Sequence, residues 1–178
     1  MTPAGLYCPR TDVYIDPVKK VPRAIITHAH SDHAKRGMTH HLCHHQSREV
    51  LQLRLGRHIA LQGLEYGRSL RIIDVTITLF PAGHIPGSAQ IRLACDEQVW
   101  VVSGDYKTEN NGLSAPWEPV SCTQFITETT FGMPVYKWQD QSLIFKEINQ
   151  WWKANKEAGI NTILRAYSLG KAQCLMAH

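Results

Sequence analysis

Apolar positions in this chain come in short bursts rather than long helical stripes. Ala24-Ile25-Ile26 and Val99-Trp100-Val101-Val102 are continuous apolar runs, the pattern of buried strands. Val75-Thr76-Ile77-Thr78-Leu79 alternates and predicts a strand with one buried face. A short strand is expected around His41 to Cys43. A helix capped by Ser47 should follow it, with Val50, Leu51, Leu53 and Leu55 on its apolar side. Asn110 to Pro119 reads as a loop, and Phe125 to Thr127 as one more strand. Only later does the spacing lengthen. Ile144, Phe145, Ile148, Trp151 and Trp152 recur at intervals of three and four, which predicts a helix over 142–155 packing its apolar side into a core. A strand over 163–167 and a helix starting at Gly170 complete the order, which is that of an α+β fold.

Three of these strands end in side chains that bind metals. After Ala24-Ile25-Ile26 comes Thr27-His28-Ala29-His30-Ser31-Asp32-His33. Residues two apart in an extended segment point the same way, so His28 and His30 can face one cation. Asp32 and His33 lie beyond the strand's end, where a turn can aim them at a second cation. Phe80-Pro81-Ala82-Gly83-His84 follows the alternating strand, and Ser103-Gly104-Asp105 follows the last apolar run. In both, glycine permits a tight turn before a ligand-type side chain. Imidazole and carboxylate suit zinc, manganese or iron. Taken singly, His84 reads more readily as a surface or hydrogen-bonded histidine and Asp105 as a turn residue or helix cap; delivered together from three strand ends, they read as a site.

The run His28-x-His30-x-Asp32-His33, then Gly83-His84, then Gly104-Asp105, resembles the metallo-β-lactamase superfamily. Finer text is similar to its β-CASP nuclease branch: Ser103 to Lys107, Pro81 to His84 leading to Gly87-Ser88-Ala89-Gln90, Thr127 to Gly132, and Ser168 to Gln173. Within that branch the chain looks most like the bacterial DNA-ligase-associated exonucleases, also labelled mRNA 3′-end processing factors. The resemblance implies the N-terminal part of an αββα sandwich over 1–135 and the start of an inserted β-CASP domain over 136–178. It implies that His28, His30 and His84 hold one divalent metal ion, zinc or manganese, that Asp32 and His33 hold another, and that Asp105 bridges the two. Asp16 matches a supporting aspartate, although an ordinary turn acid before Pro17 explains it as well. Glu128 matches the first β-CASP acid, and Asp32, Asp105 and Glu128 would form the catalytic set.

Two cations about 3.5–4 Å apart lower the pKa of a shared water towards neutrality, and the resulting hydroxide attacks phosphorus. The implied activity is therefore phosphodiester hydrolysis, with DNA favoured over RNA and a DNA ligase or helicase as a partner. Hydrolysis of a thioester or lactam by the same fold is disfavoured by the Glu128 motif. The chain departs from the family at its end. Family nucleases return from the inserted domain and supply a further histidine to the second metal, whereas this chain stops at His178. An incomplete second metal site, and a metal-binding chain without turnover, are the alternatives this opens.

Composition adjusts the picture modestly. The net charge of +4 does not by itself imply nucleic acid, but its placement is suggestive. Lys19, Lys20, Arg23, Lys35 and Arg36 flank the histidine run, and Arg48, Arg54 and Arg57 follow. Cations near a hydrolytic metal site favour a polyanion, though any one of them alone reads better as a solvated residue. Lys107 is the expected phosphate contact, and Gly87 with Ser88 would let a phosphate come close. His40, His41, His44 and His45 form adjacent pairs that point to opposite faces of a strand, so a structural role is expected for them. Five cysteines, scattered and odd in number, argue against a disulfide framework and suit a reducing cytoplasm. No apolar run is long enough to span a bilayer, and the start lacks a signal-peptide pattern.

Overall fold

The computed structural model describes residues 1–178 and divides into two units, Met1–Glu128 and Thr129–His178. In the first unit the short apolar bursts form two five-stranded sheets. One contains β1 (Leu6–Cys8), β2 (Val13–Ile15), β3 (Arg23–Ile25), β4 (His40–His44) and β5 (Ala60–Leu64), in that spatial order. Its β1–β2 pair is antiparallel, and β2 through β5 run parallel. The other is ordered β10 (Gln124–Ile126), β9 (Gln98–Val102), β8 (Ala89–Cys95), β7 (Val75–Pro81), β6 (Ser69–Ile72). It is antiparallel except where β10 runs parallel to β9.

The two sheets share one core. Val13, Ile15, Ile25 and Leu42 from the first meet Val75, Ile77, Leu79, Ala89, Ile91 and Val102 from the second. Burying such side chains contributes about 1.5–3 kcal/mol each. On β7, Val75, Ile77 and Leu79 are buried as the alternation predicts and Thr76 and Phe80 half-buried, but Thr78 is buried as well, its hydroxyl 2.9 Å from Ser69 Oγ. The end of β3 is also stitched to the facing sheet, because Ala89 N donates to Thr27 O at 2.8 Å. Parallel strands β2 to β5 share one carboxyl edge, so residues just past each strand emerge along it. Asp16, the histidine run, His44 and Glu65 all lie there.

Three local expectations are corrected. Helix α1 (Arg48–Leu55) forms with Leu51 fully buried, but Ser47 does not cap it through its side chain. Ser47 Oγ instead donates to Gly87 O at 2.9 Å, tying the helix start to the loop after β7. In the second unit, α2 (Gln141–Glu157) and α3 (Lys171–Ala177) form, while 163–167 is not a strand. A strand is held by a hydrogen-bonded neighbour, and residues 129–178 contain none. For the same reason the apolar side of α2 finds no core: Trp151 is 47% and Trp152 53% exposed.

Of the paired histidines, His41 and His44 are buried and His40 and His45 are not. The His44 ring stacks on Tyr66 at 3.5 Å, and its Nδ1 accepts from Gln46 N. The cations flanking the histidine run are partly spoken for. Arg36 donates twice to the Arg54 carbonyl at the end of α1. Arg23 donates to Thr11 O, and the Lys20 stem packs over Gly37. These contacts tie Arg36 and Arg23 to backbone carbonyls and lay the Lys20 stem along the fold.

Candidate metal centre

Four residues from three chain segments converge. His28, His30, His84 and Asp105 each offer a ligand atom, and these atoms all lie within 4.8 Å of one another. His28 Nε2 is 3.0 Å and His84 Nε2 3.2 Å from His30 Nδ1. Asp105 Oδ2 lies 3.7 Å from His28 Nε2 and 3.6 Å from His84 Nε2. A tetrahedral cation with bonds near 2.0–2.1 Å separates its ligands by about 3.3–3.4 Å. The four observed separations bracket that value, so this donor set could hold a metal ion.

A second group faces the same carboxylate from the other side. Asp105 Oδ1 is 3.2 Å from His33 Nε2, and Asp32 Oδ2 is 3.7 Å from that nitrogen. Asp105 therefore turns one oxygen to the three-histidine group and the other to His33 and Asp32. Asp32 is 75% exposed and open to a ligand.

Sequence-local features make these approaches possible. Gly104 has φ +56°, and a Cβ there would lie 2.7 Å from Thr27 Cβ, so only glycine lets the Asp105 segment come against the end of β3. Gly83 has φ +73°, and a Cβ there would lie 2.1 Å from Lys107 O. Each ligand on the second sheet is thus preceded by a glycine that meets the opposite loop closely.

Asp16, the residue with two equal readings, is a half-buried anchor rather than a plain turn acid. Its Oδ1 accepts from Thr27 N at 2.8 Å, and its Oδ2 accepts from Thr27 Oγ1 at 2.5 Å and from His33 Nδ1 at 2.7 Å. The Thr27 hydroxyl has one proton and gives it to Asp16, so it accepts from His28 Nδ1, 3.1 Å away. That network assigns the Nδ1–H tautomer to His28 and leaves the Nε2 lone pair facing the cluster. Thr27 lies inside the histidine motif, but nothing in its spacing announced this role.

The titration behaviour suits ligation. Burial, reinforced by His33 and His84, pushes His28 down to about 2, so it is neutral at pH 7. Burial lowers His84 as well, against the pull of Asp105 and Glu128. The hydrogen bond from His33 is the main cause that holds Asp105 ionised, down to about 2. For His33, burial pulls downward, but hydrogen bonds to Asp105 and Asp16 outweigh it and raise the group to about 10. Without metal, His33 is an imidazolium held between two carboxylates, and binding a cation there releases its proton.

Of the other expected site residues, Glu128 is half-buried and its charge reaches His84. Lys107 is half-buried, and its backbone N donates to Ala82 O. Ser88 is 1% exposed, and its Oγ accepts from His84 N at 3.1 Å and Ile85 N at 3.2 Å, so its hydroxyl holds the turn that presents His84. Gly87 beside it is packed against Ser47. Tyr66, which no sequence signal marked, donates to Ser88 O at 2.8 Å and buttresses the same turn.

No protein-family model matches the chain. A protein named "Probable DNA ligase" from Opitutus terrae is 31% identical over an alignment of 176 positions that covers 97% of this chain. The chain spans 17% of that relative's length. Among solved structures, a protein of unknown function from Enterococcus faecalis V583 matches 48% of this chain and 25% of its own, at 14% identity and a TM-score of 0.42. The chain is thus an α+β protein with a His/His/His/Asp group suited to a metal ion and a relative named for DNA metabolism. No helix is long and apolar enough to cross a membrane.

Proposed function

We propose that this chain is the metal-binding part of a nuclease that hydrolyses phosphodiester bonds in nucleic acid, with DNA preferred to RNA. The observation that carries the reading is the Asp105 carboxylate, which offers Oδ2 to His28 and His84 and Oδ1 to His33. One carboxylate between two ligand groups suits a pair of divalent cations. Bound there, the pair supplies Lewis acidity, lowering the pKa of water and neutralising charge on phosphate oxygens.

The chain's own residues prepare that chemistry. His28 is held neutral and Asp105 ionised, so both ligate at neutral pH without first exchanging a proton. Asp16 orients His33 and, through Thr27, His28. Asp32 presents its carboxylate at the open side, where substrate arrives. Glu128 holds negative charge towards His84 and is the candidate for moving a proton. Lys107, immediately beyond the Asp105 turn, is the candidate phosphate contact.

The two-sheet core, the ligand-type residues at strand ends and the order of motifs support a metallo-β-lactamase sandwich for 1–135, with residues 136–178 opening an inserted β-CASP domain. The name of the Opitutus terrae relative favours DNA repair, with a ligase or helicase activity nearby. All five cysteines are unpaired, which suits the cytoplasm. The test is cleavage of end-labelled single-stranded DNA and matched RNA by the purified chain with manganese or zinc. Cleavage of DNA that disappears in His30→Ala supports the reading. Equal cleavage by the variant would refute it, and preference for RNA would move the substrate assignment.

A further inference from the structure

The segment that follows Asp105 wraps the turn that presents His84. Lys107 N donates to Ala82 O at 2.9 Å and Glu118 N to Pro81 O at 3.4 Å. Between these points Asn111 Nδ2 donates to Gly83 O at 3.1 Å and to His84 O at 3.2 Å. Ser114 Oγ lies 3.0 Å from Gly83 O. The other end of the same amide, Asn111 Oδ1, accepts from Leu113 N and Ser114 N, each at 2.9 Å. The partners on one side are backbone N–H groups and on the other backbone carbonyls, so only one amide orientation satisfies both. Asn-Asn-Gly would pass for an ordinary turn in sequence. An aspartate or serine at 111 would close that turn equally well. Only the amide nitrogen reaches the His84 backbone.

The centre needs such a tie. His84 follows β7 and Asp105 follows β9, and these strands are not neighbours: β8 lies between them. Ladder hydrogen bonds alone therefore leave the separation of their trailing loops unfixed. Asn111 is six positions beyond Asp105 on the same loop and grips the His84 backbone directly.

We propose that Asn111 is a positioning residue of the metal centre, holding His84 at the distance from Asp105 that one shared cation requires. The proposal rests on the metal-centre reading above. The two side chains now stand with His84 Nε2 3.6 Å from Asp105 Oδ2. Replacing Nδ2 by an oxygen sets a carboxylate against two carbonyls, which pushes the His84 turn away while leaving the 111–114 turn closed.

The test is cobalt(II) binding by the 178-residue chain, read as affinity and as the intensity of the visible ligand-field bands, which report coordination geometry. Asn111→Asp is expected to weaken cobalt about 10–100-fold, the usual cost of losing an outer partner of a ligand, and to change the bands. Asn111→Ser, which keeps a turn acceptor but cannot reach the carbonyls, should do the same to a smaller degree. Thr123→Ala removes bonds of 2.9 Å and 3.0 Å to Val99 N and O at the far end of β9. It controls for lost stability and should leave the spectrum unchanged. If either folded Asn111 variant binds cobalt with unaltered affinity and spectrum, the positioning role is wrong. If the unaltered chain binds no cobalt, the metal-centre reading itself fails and takes this role with it.

Discussion

Replacing Asp16 by asparagine should disable one side of the metal centre without disturbing the backbone. Asp16 has φ +44°, a left-handed conformation that asparagine adopts as readily as aspartate, so no strain is added. Asparagine keeps the acceptor for Thr27 N but turns Oδ2 into a donor. Two charge-assisted bonds are lost, those from Thr27 Oγ1 at 2.5 Å and His33 Nδ1 at 2.7 Å. At about 1.5–3 kcal/mol each, with part regained when the new NH2 donates to the Thr27 hydroxyl, the expected loss is about 2–4 kcal/mol. The larger effect is on tautomers. An amide N–H facing His33 Nδ1 forces the imidazole proton onto Nε2, the atom turned towards Asp105. Freed from Asp16, the Thr27 hydroxyl can also donate to His28 Nδ1 and move that proton to Nε2. Manganese affinity on the His33 side should fall about 10–100-fold. Denaturant unfolding of the metal-free protein, calorimetric titration with manganese and the protonation of each His33 ring nitrogen by NMR measure all three. A His33 that still carries its proton at Nδ1, together with unchanged affinity, would refute the reasoning.

Other consequences are as direct. Gly83→Ala places a methyl 2.1 Å from Lys107 O at φ +73°. Left-handed strain of about 1–3 kcal/mol plus that overlap should lower the urea midpoint, and an unchanged midpoint would contradict the close approach. Ile77→Ala removes a fully buried side chain between the sheets and should cost about 2–5 kcal/mol. Metal-free stability should fall on both sides of neutrality. His33, raised from 6.5 to about 10, contributes stability that is complete below pH 6.5 and is lost as pH rises through 10. His28, lowered from 6.5 to about 2, contributes stability present above pH 6.5 and lost on acidification. Cys43, raised by burial from 9.0 to about 12, loses stability in the same direction as His33 but only above pH 9. Unfolding between pH 6.5 and 9 therefore isolates His33, and a rise in stability there would contradict its placement.

The clustered residues His28, His30, His84 and Asp105 were legible in the sequence because each follows an apolar run and two follow a glycine. Strand direction and spacing already imply that His28 and His30 face one point. What those spacings could not convey is the support. Ser88 reads as a small residue near substrate, yet its hydroxyl is spent on two backbone N–H groups of the His84 turn. Asp16 and Thr27 bind through contacts made only when β2 and β3 lie side by side. Tyr66 reaches the His84 turn from the loop after β5, 22 positions before Ser88. The failures in 129–178 have one cause. Residues 163–167 carry strand-like composition and α2 carries an apolar face, but pattern becomes structure only against a partner, and this unit contains no sheet.

The central claim is that Asp105 stands between two cations, and anomalous diffraction from manganese-loaded crystals tests it most directly. Two peaks about 3.5–4 Å apart, one among His28, His30 and His84 and one beside His33 and Asp32, with Asp105 contacting both, are the expected result. No peak at this cluster, or a manganese that Asp105 does not touch, would contradict it.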